Sequence, residues 1–156
     1  MVAAAVAAAA LAPARFAPRH GWHAGAGRVH ACPGVPPERC RSASSWAATV
    51  RWRDCGECLP HRTLARMPAN GIAIQISLAI ERPFPAWLHQ RSWPPHIDPR
   101  TVVAPFEGLP GRIGVYQWIG LVGRVEANVM LFFGRSRPTS RQLHAAEAEL
   151  GAAGIP

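Results

Sequence analysis

The chain has 156 residues and a mass of 16.8 kDa, room for one ordinary domain or for a small domain with an appendage. All 17 basic residues are arginine, set against 9 acids for a formal charge of +8. The lack of lysine excludes a lysine nucleophile, a Schiff base and a Walker-type phosphate lysine, and a 49% hydrophobic composition argues against a wholly disordered chain.

With 28 alanines, 14 glycines and 16 prolines in the same chain, the arginine-only usage looks like nucleotide bias as much as selection for charge. The character of the sequence changes near Met67. Residues 1–66 hold nine Arg and three acids, a net of +6, and all four cysteines; residues 67–156 hold eight Arg and six acids, a net of +2. That asymmetry predicts two parts, an Ala/Arg/Pro/Cys-rich disordered leader over 1–66 and a compact domain over 67–156.

The leader opens on an apolar run, Val2 to Ala12, too short for the ~20 residues that cross a bilayer, so no transmembrane segment is expected. Residues 1–14 have part of a secretory signal, with Ala10-Leu11-Ala12 as a small-residue cleavage site. Residues 1–37 have part of an organellar transit peptide, with no acid before Glu38. Neither pattern is complete, which leaves a cytoplasmic location as the expectation. A third reading makes Met67 the initiator and everything before it an unselected frame. Only Ser45 to Trp52 shows strand character, and the rest of the leader reads as irregular.

After Met67 the pattern sharpens. Ile72, Ile74, Ile76, Leu78 and Ile80 alternate with Ala73, Gln75, Ser77 and Ala79, the signature of a strand that Pro83 stops. Phe84, Trp87 and Leu88 have the spacing of one helical turn. Thr101 to Phe106 reads as a weak edge strand broken by Pro105. Val115 to Phe133 predicts a hairpin turning at Gly123-Arg124 in a type II′ turn, with Val122 facing Val125, Trp118 facing Val129 and Tyr116 facing Leu131. The opposite face then carries Gln117 with Met130, Ile119 with Asn128, and Leu121 with Glu126. A final helix is capped by Thr139 with Gln142 at N3, shows a Leu143, Ala146, Leu150 stripe, and ends at Gly151 or Gly154. The predicted fold is α+β: a small antiparallel sheet of three to four strands with the C-terminal helix packed on one face, preceded by a largely irregular segment.

Chemistry is sparse in this sequence. Cys55, Cys58 and His61, with Cys40 as fourth ligand, have residue types that suit zinc, and disulfides or incidental cysteines are the competing readings; no other cofactor is indicated. Trp87, His89, Arg91, Trp93 and His96 interleave aromatic and basic groups, a pattern that stacks bases or simply anchors a core. The acids of the second part lie in no catalytic motif, with Glu147 and Glu149 expected on the solvent side of the helix, so no enzyme is expected. Val129 to Phe133 is apolar on both faces, which predicts an interaction or self-association module using Ile119, Met130 and Phe132 against a protein partner or a second copy. Two alternatives stand beside it: a basic, zinc-assisted nucleic-acid binder that uses the leader, and an anion-binding corner formed by Arg135, Arg137 and Arg141.

Overall fold

A computed structural model describes residues 11–32, 34–37, 39–53 and 59–155. Its strands are β1 (His23–Ala26), β2 (His30–Ala31), β3 (Cys40–Ala48), β4 (Ile72–Glu81), β5 (Gly114–Val122) and β6 (Val125–Phe133). The helices are α1 (His61–Ala65) and α2 (Ser140–Ala152). All strand pairings are antiparallel, in the order β1-β3-β4-β6-β5, with β2 also on β3. The expected sheet of three to four strands is thus corrected to six strands, and the expected irregular segment supplies three of them.

The hairpin forms as its turn chemistry requires. Gly123 has φ +62° and no other residue of the turn has positive φ, which is the type II′ pattern. The register pairs Val122 with Val125, Trp118 with Val129 and Tyr116 with Leu131, as the alternation predicts. β4 likewise spans the alternating run. Thr101 to Phe106 reduces to a 3₁₀ turn at Pro99–Thr101 and one bridge from Val103 to Val115 on the β5 edge. The segment from Phe84 to Leu88 forms a turn rather than a helix.

Only the end of β3, Ser45 to Ala48, falls in the stretch with strand character; the rest carries no such signal because Cys-Arg-Ser-Ala-Ser-Ser-Trp-Ala-Ala has neither apolar alternation nor β-branched side chains. Its strand conformation comes from nine paired positions against β4, Cys40 facing Glu81 through Ala48 facing Ala73. β1 and β2 are two halves of one edge strand on β3, offset by one residue between Ala26–Ser45 and His30–Ser42. A one-residue bulge of this kind twists an edge and discourages further pairing. Cys32 and Cys40 close the β2–β3 loop with a disulfide.

One sheet face carries the Ile72, Ile74, Ile76 and Leu78 row with Val129, Leu131 and Phe133. It is covered by Ala146, Leu150 and Ala153 at α2 and by Leu11 and Ala14 of an N-terminal strap, residues 11–22. The other face is apolar only at one end, where Ala73, Val115 and Phe132 pack beneath Trp52, Leu64, Leu109 and Ile113. α2 starts in the expected Thr139–Gln142 capping box. It runs through Gly151 to a C-cap at Ala153 with φ −76°, so the expected glycine stop is not used. No helix among the described residues is long and apolar enough to cross a membrane.

Candidate functional site

A cleft of about 620 Å³ lies where β3 ends, β4 begins and α2 starts, and the strap forms its remaining wall through His20, Gly21 and Trp22. Its floor is tied together locally. Thr49 and Ile72 bond through backbone and side chain: the Thr49 N–H donates to the Ile72 carbonyl at 2.9 Å, and Thr49 Oγ1 accepts from the Ile72 N–H at 2.9 Å. The buried Gln142 amide donates to the Ala69 and Gly71 carbonyls at 3.2 and 3.3 Å, and its oxygen accepts from the Thr139 N–H at 3.0 Å. This places the first turn of α2 against the Pro68–Gly71 turn. Gly134 donates to the Gly71 carbonyl at 3.0 Å, and a Cβ at Gly134 would run into the Pro68 carbonyl. Only glycine lets β6 pass this turn and deliver Arg135 to the cleft.

Arg135 and Arg141 both line this cleft, and Arg137 does not. Both side chains are exposed, and neither has an ionic or hydrogen-bonding partner among the described residues. No described acid lines the cleft, so its electrostatics are set by two unpaired guanidiniums beside His20, Thr139 and Asn70. His20, Thr49 and Asn70 carry no sequence signal for this role, since each is recruited from a different loop.

The sheet-face candidates separate. Phe132 is 0% exposed, with its ring 6.0 Å from that of Trp52. It is a core residue, contrary to its expected place on a binding face. Met130 and Ile119 are half-buried, on adjacent rows of that face. Beyond them the face turns polar: Ser44, Ser77 and Asn128 lie in one cross-strand row, with Ser42, Ala79 and Glu126 in the next. A depression of about 300 Å³ opens over Gln75, Ser77, Glu126, Asn128 and Met130. Burial pushes the Glu126 carboxyl above the usual carboxylate range, and the like charge of Glu81 adds to it.

Of the expected zinc quartet, only Cys40 and His61 lie among the described residues. Cys40 is bonded to Cys32, which removes it as a thiolate ligand, and His61 Nδ1 lies 2.9 Å from the Gly108 carbonyl. Cys55 and Cys58 lie outside the described residues, among which no cluster of three metal-ligating side chains occurs. The aromatic-basic cluster disperses too. Trp87 is 61% exposed, while the Trp93 indole N–H donates to the Ala153 carbonyl at 3.1 Å and its ring meets Trp118 edge-on. Arg91 stacks over Trp118, and His96 Nδ1 lies 2.8 Å from Glu147.

Glu149 corrects another expectation: it is fully buried, not on the solvent side of α2. Gln142, Ala146, Glu149 and Leu150 are the buried residues of that helix, at i, i+4, i+7 and i+8. The spacing is visible in the sequence, but a Glu within it is read as exposed on residue type alone.

Comparison with protein-family models, curated proteins and solved structures finds no match to this chain.

Proposed function

We propose that the protein is a binding module whose cleft between the strap, the Pro68–Gly71 turn and α2 takes a compact anionic ligand, a phosphate or carboxylate compound, through Arg135 and Arg141. One observation carries the reading: two guanidiniums without partners among the described residues line the same cleft, and no described acid lines it to neutralise them. A guanidinium offers several N–H donors in a planar fork, which matches phosphate and carboxylate oxygens and makes charge-assisted bonds. Binding rather than proton transfer suits this lining, because arginine keeps its proton throughout the working pH range. The volume lies within the range of small-molecule sites, ~300–1,000 Å³. The apolar wall from Trp22, Val50 and Ile72 supports an anion that carries an organic portion.

The test is thermal unfolding in a titration of inorganic phosphate or sulfate, for the natural chain, Arg135→Ala/Arg141→Ala and Arg137→Ala. A ligand at a hundred times its Kd stabilises by about 2.7 kcal/mol. That stabilisation is expected for the natural chain and Arg137→Ala, and is lost in the double variant. An anion response of equal size in the double variant, or none in the natural chain, overturns the proposal.

A further inference from the structure

Glu149 is 0% exposed, and among the described residues its carboxylate oxygens have no close hydrogen-bond partner, only the Arg19 backbone N–H and charge acting on them. A charged carboxylate in such a place loses its hydration with only the Arg19 groups to offset the loss, so the neutral acid is the form the site favours. The strap lies against this part of α2. Leu11 and Ala14 share a cluster with Ala146, Leu150 and Ala153, and Arg15 exchanges two backbone hydrogen bonds of 2.9 Å with Gly154. Arg19, on the same strap, acts on the Glu149 carboxyl through its backbone N–H and its charge. Leu11 and Ala14 also lie in the cluster over the sheet face, with Phe16 and Trp22 packed against it, and the strap runs directly into β1, so its hold is the sum of these contacts and the state of that carboxyl.

We propose that Glu149 is a proton-operated latch: protonated, it lets residues 11–22 lie closed on α2, and its ionisation releases them. Burial pushes its carboxyl up from the ordinary carboxylate value, and Arg19 opposes the shift without cancelling it. For an acid raised in this way, the closed state is fully favoured below the ordinary value. That advantage is lost as pH rises through the raised value. Among the described residues, Arg19 is the charged group that acts on this carboxyl. Glu147, two residues earlier on α2, pairs with His96 and accepts from the Ile97 N–H at 3.1 Å; Asp98 pairs with Arg100. The underlying sheet face presents apolar residues. The strap also carries His20, Gly21 and Trp22 of the cleft wall, so its release would widen the anion cleft. That consequence rests on the function proposed above, whereas the latch does not.

Hydrogen exchange of the full chain, followed over residues 11–22 between pH 4 and pH 8 and corrected for intrinsic rates, tests the latch. Strap protection in the natural chain is expected to fall by about tenfold or more across that range, while the β5–β6 hairpin stays constant. Glu149→Gln is expected to hold the strap closed at every pH. Arg19→Gln removes the opposing charge and is expected to move the transition to higher pH. Equal pH dependence in Glu149→Gln and the natural chain overturns the latch, as does an Arg19→Gln transition that stays put or moves down should Glu149→Gln fail to fold. The phosphate-dependent thermal shift reads the cleft separately: its absence beside a pH-dependent strap overturns the anion site and leaves the latch standing.

Discussion

Cutting the chain before Met67 tests most directly how the two halves depend on each other. Residues 67–156 alone keep β4, β5, β6 and α2, the elements that local pattern makes most legible. They lose the partner of β4 along nine paired positions. An antiparallel ladder supplies roughly one hydrogen bond per paired residue, each contributing about 0.5–1.5 kcal/mol net. The lost ladder therefore contributes on the order of 5–13 kcal/mol, about the whole stability of an ordinary domain, ~5–15 kcal/mol. Leu64, 0% exposed, and Trp52, 8% exposed, leave with it, each worth about 1.5–3 kcal/mol of burial. A bare β4 edge would also invite pairing with other copies. The truncated chain is expected to lack a cooperative urea transition by far-UV circular dichroism, and to self-associate in sedimentation. A sharp transition, with a midpoint close to that of the full chain, would refute the reasoning and restore residues 67–156 as an independent domain.

Two further outcomes follow from the polar and apolar ends of the same sheet face. Phe132→Ala is expected to cost about 3–5 kcal/mol and to lower Tm by about 10 °C, read by differential scanning calorimetry. An unchanged Tm, with weakened self-association instead, would return Phe132 to a binding surface. Glu126→Gln removes a carboxyl that burial and Glu81 hold above its ordinary value. The natural chain loses stability as pH rises through that raised value, so the variant should have the higher Tm at pH 7, the difference closing below about pH 4. A Tm at pH 7 equal to or below that of the natural chain would count against the burial argument.

The local signals in this sequence act where the physics is local. Gly123 needs a positive φ that other residues resist, the Ile72–Ile80 alternation fits a pleated strand with one continuous apolar face, and the Thr139–Gln142 box satisfies the first N–H groups of α2 within four residues. The cleft was legible in part. Arg135 and Arg141 stand out as a basic corner beside a helix start, but His20 and Thr49 reach it only because the strap and the end of β3 converge there.

The remainder was decided by contacts between distant segments. β3 is built of serine, alanine and a single tryptophan, and it becomes a strand because β4 offers it nine partners. Small side chains suit its central place. Trp46 lies against β1 where a Cβ at Gly25 would sit 2.8 Å from its ring, so the chain needs glycine opposite. Phe132 has the residue type of a surface anchor as much as of a core, and the cover of Trp52, Leu64, Leu109 and Ile113, drawn from both sides of Met67, makes it core. Glu149 has a side chain that ordinarily seeks water, yet it is sealed beneath a strap more than a hundred residues away in sequence. Turn, alternation and cap energies act over a few residues and can be read from the chain. Which face is covered, and by what, depends on burial and pairing summed over segments that meet only in the folded protein.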